Sequence, residues 1–436
     1  MTSRRRLVLR MGLAMLVLGS LAANAGFVGA AYYGLSPSRY ADKMLRIVAQ
    51  RPLAWLYSED AEDAVDIANT YWHGDALVES SRLSEGMSLE SGGGSIRVSN
   101  ADTAPLPATT VPFVYQSPDA PYLVELRETF ELDNVIANAD SEYDAMIRLA
   151  RWVGTAFDHG EDPLPTAQGK HDPLAILKTG QAGAAYWCEV AAHTMTQAAT
   201  SLGFVARLVT ISHDGYDWSH AVTELWSNEF RKWVLIDTDF NVIYKDGGVP
   251  LSAAELVDLN RDHEQGRVTF NHFAPSKPFF TKRNGMFRLA PARIRYAHVD
   301  MRTDWRTRPL RRGSPAGGDL ATWRYDYGRL DPLLSAIPRI ESAQRFNWPM
   351  NGVDTWVSSL KQDNGQLQLV FSSRTYSPNF VHFEWRVDGG DWNKSPDGKV
   401  TISLSEGVHR FEVRVRLANQ RQGPESNYTF SLKGAG

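Results

Sequence analysis

The chain contains a single cysteine, Cys188, in the stretch AAYWCEVAAHTMTQAATSLGFVARLV. Apolar residues recur every three or four positions from Cys188 to Leu202, which predicts a helix that begins at the cysteine. The N-terminus of a helix stabilises an anion, so a thiol at this position is well placed to form a thiolate. A lone cysteine is equally typical of a small buried apolar residue. The spacing alone therefore leaves core packing and nucleophilic chemistry open.

A thiol nucleophile requires a base, and the base requires a group that orients it. His220 opens the strand-like run HAVTELW, and Asp237 lies near the end of the next run, KWVLIDTDF. A hairpin that turns tightly at Asn228 and Glu229 would place His220 directly opposite Asp237, with Cβ atoms about 5 Å apart. Asp239 lies on the same face and becomes the partner if the turn is longer. Either carboxylate would fix the imidazole tautomer and stabilise its protonated form.

Structural roles are also open for these residues at this point. His220 could bond to backbone at a strand end, and Asp237 could be a surface turn residue. Because the chain has 11 histidines, a chance pairing of one of them with a carboxylate is unsurprising. His213, Asp217 and His220 also cluster, but their spacing matches no familiar metal-ligand motif, so we expect no metal there.

Three blocks in this order, WCEVAAHTMTQAATSLGFVARLV, SHAVTELW and KWVLIDTDFN, resemble the signature blocks of the transglutaminase-like superfamily, in particular its exported bacterial branch. The family pattern has a cysteine that opens a helix, a Gly-x-x-Ala-Arg passage, a His-Ala strand and a Trp-x-x-x-Asp strand. Here these parts fall on Cys188, 203–207, His220 and 233–237. The resemblance extends over residues 119–259.

The resemblance implies an α+β fold with a papain-like core and a catalytic triad of Cys188, His220 and Asp237. It implies thioester chemistry at the cysteine, with no cofactor and no metal. Family members usually have glycine two residues before the cysteine, where this chain has Tyr186. We expect the backbone N–H of Cys188 to bind the oxyanion, with Gln181 or Tyr186 as the second donor.

The N-terminus predicts export. Four arginines precede a charge-free stretch from Met11 to Ser38, and its apolar part, residues 11–33, exceeds the about 20 residues that span a bilayer. We expect an uncleaved anchor with the body outside the cytoplasm. The alternative is a signal peptide cleaved after Ala25, since residues 23–25 have the small-x-small form of a cleavage site. Arg4 and Arg5 also resemble a twin-arginine signal.

The remaining sequence predicts further regions. A hydrophobic fraction of 43% is typical of globular proteins, and the formal net charge of −4 argues against nucleic acid as a partner. A segment rich in arginine and aromatic residues suggests either a solvated connection or a groove for an anionic envelope polysaccharide. The last ninety or so residues alternate in the manner of a small Ig-like β-sandwich. The expected regions are 1–38, anchor or signal; 39–118, helical and irregular; 119–270, transglutaminase-like; 271–344, connecting; and 345–436, β-sandwich.

The sequence therefore predicts an extracytoplasmic cysteine enzyme that cleaves or transfers a peptide or amide acyl group through a thioester on Cys188. We expect hydrolysis rather than transamidation, because nothing in the sequence marks an amine site. The rival hypothesis is a catalytically degenerate binding or assembly protein of the cell envelope, suggested by Tyr186, the arginine- and aromatic-rich segment and the appended sandwich.

Overall fold

The computed structural model describes residues 70–91, 93–212, 220–281, 294–307, 322–326, 339–363 and 366–435. The expected anchor or signal region, 1–38, and residues 39–69 of the region expected to be helical and irregular lie outside these ranges. No helix within them combines the length and apolar character needed to cross a membrane.

The described chain mixes helices with antiparallel strands. The helices are α1 Pro121–Thr129, α2 Leu132–Ile136, α3 Glu142–Thr155, α4 Pro173–Gln181, α5 Cys188–Ser201, α6 Ala253–Arg261, α7 Pro278–Thr281 and α8 Ala343–Phe346. The first strands are β1 Trp72–Gly74, β2 Ser88–Ser91, β3 Gly94–Asp102, β4 Ala206–Ser212, β5 His220–Ser227, β6 Lys232–Asp237, β7 Val242–Asp246, β8 Val249–Pro250 and β9 Thr269–His272. The remaining strands are β10 Tyr296–Asp300, β11 Thr322–Asp326, β12 Asp354–Asp363, β13 Gln366–Tyr376, β14 Phe380–Val387, β15 Asn393–Ser395, β16 Lys399–Leu404, β17 Gly407–Leu417 and β18 Ser426–Gly434.

The central antiparallel sheet has the order β11-β10-β4-β5-β6-β7-β8, with β9 paired to β7. Its central strands are buried on both faces because alternate residues of β4 to β7 enter different cores. Along β6, Val234 and Ile236 pack against helices α1 to α5, whereas Trp233 and Leu235 pack on the opposite side. Strands β10 and β11 extend this sheet beyond residue 270, the expected end of the catalytic region.

Helix α5 is the element that the sequence pattern predicted most closely. It begins at Cys188, and every residue from Val190 to Ser201 is buried. The chain leaves the helix through Gly203, whose φ of +80° suits glycine and few other residues. The helix packs against β5, which brings its N-terminal end to the strand that carries His220.

The hairpin of β5 and β6 differs from the prediction. Thr223 pairs with Ile236 and Ser227 with Lys232, so the turn has four residues, 228–231, and the predicted tight turn at Asn228 and Glu229 is wrong. The side chain of Glu142 accounts for the longer turn, because its Oε2 accepts backbone N–H groups of Asn228 at 2.6 Å and Glu229 at 3.2 Å. Extending this register would place His220 level with Asp239, but the pairing of β5 with β6 ends at Thr223.

Two further antiparallel sheets enclose a separate hydrophobic core. One contains β1-β13-β12 with β16 paired to β13, and the other has the order β15-β14-β17-β18-β3-β2. Strand β3 pairs with β18, so residues from both ends of the described chain build one sheet. Residues 70–118, the described part of the region expected to be helical and irregular, contain strands β1 to β3, and their described positions include no α-helix. The Ig-like assignment of this part stays a prediction.

Candidate active site

Cys188 is the first residue of helix α5 and is half-buried. The preceding residue, Trp187, has extended backbone angles and gives no side-chain cap to the helix. The first N–H groups of a helix have no acceptor within the helix, so they are available to a negative charge at this point. The side chain of Cys188 packs against a small apolar cluster that includes Ala192 and Trp305.

His220 is the first residue of β5 and is buried. Its Nε2 bonds to Oδ2 of Asp237 at 2.9 Å, and the ring of Phe240 stacks on the imidazole at 4.5 Å between centroids. The sulfur of Cys188, a ring nitrogen of His220 and a carboxylate oxygen of Asp239 all lie within 4.8 Å of one another. Since Nε2 is used by Asp237, Nδ1 is the nitrogen left for the thiol.

Asp237 ends β6 and is fully buried. Its second oxygen, Oδ1, accepts the backbone N–H groups of Asp239 at 3.1 Å and Phe240 at 2.9 Å. The carboxylate is therefore fixed by the turn that follows its own strand. The hydrogen bond between His220 and Asp237 is present although the register used to predict it is wrong, because this turn, not the strand ladder, directs Asp237 toward the imidazole.

The charge balance at His220 favours its protonated form. Burial is the largest single influence and lowers the pKa of His220, but the charges of Asp237 and Cys188 and hydrogen bonds to both side chains outweigh it. The net result is a pKa well above the usual value for histidine. This arrangement suits a thiolate–imidazolium pair, in which the base already holds the proton of the nucleophile.

The geometry agrees with a comparison against protein families. The family model for the transglutaminase-like superfamily matches residues 132–238, a range that contains Cys188, His220 and Asp237. Residues 132–238 form a transglutaminase-like superfamily domain. No curated protein and no solved structure matches the chain.

A second buried carboxylate, Asp239, lies beside the Cys–His pair, one residue after the range that the family model matches. Asp239 is held by His159, whose Nδ1 lies 2.9 Å from Oδ2, and by Lys277, whose Nζ lies 3.5 Å from Oδ1. Burial, the largest influence, raises the pKa of Asp239, but the bond from His159 and the charge of Lys277 bring it below the usual value. Burial has the opposite effect on the ammonium of Lys277 and lowers its pKa.

Sequence reasoning missed the roles of His159 and Lys277. His159 lies in a loop 80 positions before Asp239, and Lys277 lies beyond the segment that resembles the family. The sequence signal for His159 was its position in a proline-containing loop shortly before the helix that begins at Cys188. Two aromatic residues from α7, Phe279 and Phe280, contact the ring of His159 at 4.5 and 4.8 Å between centroids.

The two expected second oxyanion donors differ in their availability. Tyr186 is buried; its backbone N–H donates to the carbonyl of Asp158 at 3.0 Å, and its hydroxyl bonds to that of Thr179 at 2.6 Å. Both of its donors are thus engaged. Gln181 is exposed at the end of α4 and lines a cavity of about 610 Å³ together with Lys277. A second oxyanion donor stays a prediction.

The metal cluster considered from sequence falls mostly outside the described residues, because His213 and Asp217 are among those not described. A different set, Cys188, His220 and Asp239, has sulfur, nitrogen and oxygen atoms close enough to share an ion.

Proposed function

We propose that this protein is an extracytoplasmic cysteine enzyme that cleaves or transfers the acyl group of a peptide or amide through a thioester on Cys188. The observation that carries the proposal is the convergence of three side chains: a thiol at a helix N-terminus, an imidazole within 4.8 Å of it, and a carboxylate bonded to that imidazole at 2.9 Å. This combination is what nucleophilic acyl transfer by cysteine needs.

In the first half-reaction, the sulfur of Cys188 attacks the substrate carbonyl carbon, and His220 holds the proton that the thiol has given up. Collapse of the tetrahedral intermediate breaks the C–N bond. His220 donates its proton to the departing amine, which leaves a thioester on Cys188. Asp237 keeps the imidazole oriented through both transfers because its own position is fixed by backbone N–H groups.

The tetrahedral intermediate carries a negative charge on oxygen, and the start of α5 is suited to stabilise it. The backbone N–H of Cys188 is the first donor of the helix, and the peptide dipoles of the helix point their positive end to this place. Removal of a single oxyanion donor typically costs about 10² to 10³ in rate.

In the second half-reaction, water attacks the thioester while His220 takes its proton. Collapse of the intermediate breaks the C–S bond, releases the acid product and restores the thiolate–imidazolium pair. An amine in place of water would give transamidation with the same proton transfers. We propose hydrolysis, because water is abundant at a half-buried thiol and nothing in the sequence marks an amine site.

The proposed location rests on the N-terminal sequence. Arginines at 4, 5, 6 and 10 precede a charge-free stretch from Met11 to Ser38, which supports an anchor with the body outside the cytoplasm. The partners would then be the membrane, a peptide or amide substrate and an envelope polysaccharide, with no nucleic acid. N-terminal sequencing of the exported protein tests the anchor: a mature start at Gly26 would replace it with a soluble exported form.

Thiol reactivity tests the enzyme directly. At pH 6 an ordinary cysteine with a pKa of about 8.5 is almost entirely protonated and reacts slowly with iodoacetamide. We expect Cys188 to be labelled rapidly at pH 6 in the native protein, and slowly in His220→Phe. Since Cys188 is the only cysteine, the intact mass gives the labelled fraction without ambiguity. Equal and slow labelling in both proteins would contradict the proposal.

A second candidate function is a binding or assembly protein of the envelope that keeps the fold without turnover. Tyr186 favours it, because a large buried side chain stands where family members usually have glycine, and both of its donors are engaged. The two functions are separated by an acyl-enzyme trap: a peptide with an electrophilic carbonyl should add its mass to the enzyme at Cys188 and leave the binding protein unmodified.

A further inference from the structure

Asp239 adds an oxygen ligand to the sulfur of Cys188 and the imidazole nitrogen of His220. We propose that these three side chains form a binding site for Zn²⁺, and that metal binding and thioester formation exclude each other at Cys188. The three ligand atoms lie within 4.8 Å of one another. Zinc bonds of about 2.0 to 2.3 Å place tetrahedral ligands about 3.5 Å apart, so the site closes on the metal with side-chain shifts of about 1 Å.

The ligand types suit zinc and leave room for a fourth ligand. Thiolate, imidazole and carboxylate are the three kinds of side chain that bind Zn²⁺ in proteins. Three protein ligands leave one tetrahedral position, and a water molecule can reach it because Cys188 is half-buried rather than enclosed.

Each of two ligands is supported by a neighbour that does not bind the metal itself. Asp237 accepts from Nε2 of His220 at 2.9 Å, which leaves Nδ1 for the metal and fixes the ring. His159 bonds to Asp239 at 2.9 Å and holds that carboxylate in place. Outer contacts of this kind orient zinc ligands and commonly change metal affinity by about 10- to 100-fold when removed.

The local charges also favour a divalent cation. Zinc binding displaces the proton from Nδ1 of His220, and with thiolate and both carboxylates ionised, Cys188, Asp237 and Asp239 then carry three formal negative charges. The ammonium of Lys277, 3.5 Å from Asp239, offsets one of them. The remaining charge matches that of one Zn²⁺, and the ammonium keeps Asp239 from being an excessively strong ligand.

Zinc would block the proposed reaction because the sulfur lone pair that attacks the carbonyl is then shared with the metal. This effect on turnover rests on the proposed function. The metal site itself rests on the three ligand positions alone, so it is tested without a substrate.

The first experiment titrates the full chain with Zn²⁺ and measures the rate at which iodoacetamide labels Cys188. We expect zinc to protect the thiol and a chelator to restore labelling. Asp239→Asn should weaken protection at least 10-fold. Glu189→Gln is the matched control, because Glu189 follows Cys188 on the same helix turn and pairs with Lys170 rather than facing the site. It should change the zinc affinity less than threefold. Equal protection in native protein and Asp239→Asn would overturn the three-ligand site.

A second measurement avoids dependence on the folding of a variant. X-ray absorption of the native chain loaded with one Zn²⁺ should show one sulfur at about 2.3 Å and the remaining nitrogen and oxygen ligands at about 2.0 to 2.1 Å. A zinc shell without sulfur would overturn the proposal. Zinc binding with no acyl-enzyme trapping would refute the proposed function and leave the metal site standing.

Discussion

At the scale of single residues, the two oxygens of Asp237 have separate tasks. Oδ2 receives the imidazole N–H of His220, while Oδ1 receives two backbone N–H groups from the following turn. The backbone donors fix which way the carboxylate faces. This asymmetry determines what happens when one oxygen is replaced by nitrogen.

We predict that Asp237→Asn traps the wrong tautomer of His220. The backbone donors hold the amide oxygen at the position of Oδ1, so the amide NH₂ faces Nε2. The imidazole proton then moves to Nδ1, which can no longer accept a proton from Cys188. The iodoacetamide labelling rate of Cys188 at pH 6 should fall at least about tenfold, which corresponds to about 1.4 kcal/mol.

The matched control for this prediction is Asp172→Asn, a buried carboxylate that caps helix α4. It should leave the labelling rate within about twofold and lower stability by no more than about 1 kcal/mol, because asparagine still caps the helix and only the ion pair with Arg306 is weakened. If Asp237→Asn labels as fast as native protein, Asp237 is a structural residue.

The candidate site could be predicted in part because its members open or end regular elements. Cys188 begins a helix whose apolar residues recur every three or four positions. His220 begins the first strand of a hairpin, and Asp237 ends the second. The contacts of Asp239 could not be predicted, because His159 and Lys277 lie in loop and short-helix segments that no periodicity places. Their side chains meet only after the helices have packed on the sheet.

At the scale of elements, a buried ion pair joins four parts of the chain. Arg207 of β4 donates to Oε2 of Glu224 of β5 at 2.8 and 2.6 Å. Glu224 also accepts the first N–H of α6, from Ala253, and Arg207 donates to the carbonyl of Phe346. The guanidinium lies 4.1 Å above the ring of Trp233. Both charged side chains are fully enclosed.

We predict that Glu224→Gln lowers the free energy of unfolding by about 3 to 5 kcal/mol, because the guanidinium of Arg207 is then buried without an anion. Urea unfolding followed by tryptophan fluorescence measures the change. Asp133→Asn is the control, since it removes a carboxylate that is 58% exposed and paired with Arg127. It should cost less than about 1 kcal/mol. Equal costs for the two variants would show that burial does not govern the strength of this pair.

Elements were more predictable than their pairing. Local patterns of apolar residues predict the helix that begins at Cys188 and the strands that begin at His220 and Lys232. Such patterns reflect which side chains are buried within a few residues of one another. The four-residue turn depends on Glu142 of α3, far away in sequence, and so had no local signal. The pairing of β1 and of β3 had no local signal, because their partners β13 and β18 lie at the other end of the described chain.

At the scale of the whole molecule, two sheets include both early and late strands. We predict that a chain ending after residue 344 does not fold cooperatively, because β3 loses β18, β1 loses β13 and Arg207 loses the carbonyl of Phe346. Calorimetry and circular dichroism measure this. A chain ending at Gly434 is the control and should unfold as the full chain does. A cooperative transition in the shorter chain would contradict the prediction, because it would show that the remaining chain folds without residues 345–436.

Stability should also decrease in acid because of buried histidines outside the candidate site. Burial lowers the pKa of His171 to about 4 and that of His298 to about 3. In the unfolded chain both have ordinary pKa values near about 6.5. Below pH 6.5 the unfolded chain binds more protons than the folded chain. The stabilising contribution of the two neutral histidines is therefore fully present above pH 6.5 and is lost as the pH decreases toward 4.

For His171 this loss amounts to about 3 kcal/mol, since each pKa unit corresponds to about 1.4 kcal/mol. Urea unfolding at pH 7.5, 5.5 and 4.5 measures the slope in native protein and in His171→Gln. The variant should lose less stability over this range than the native protein. Parallel slopes would mean that His171 titrates normally in the folded state.

The pairing of β3 with β18 has a consequence for the timing of synthesis. Ser99 donates to the carbonyl of Thr429 across 330 positions. A ribosome that adds about 5 to 20 residues per second needs about 15 to 70 seconds to make that stretch. Throughout this interval one edge of β3 offers its N–H and C=O groups to any extended segment nearby, including β3 of a neighbouring nascent chain. Slower translation prolongs that exposure, so crowded polysomes should produce more aggregate from this protein than widely spaced ones.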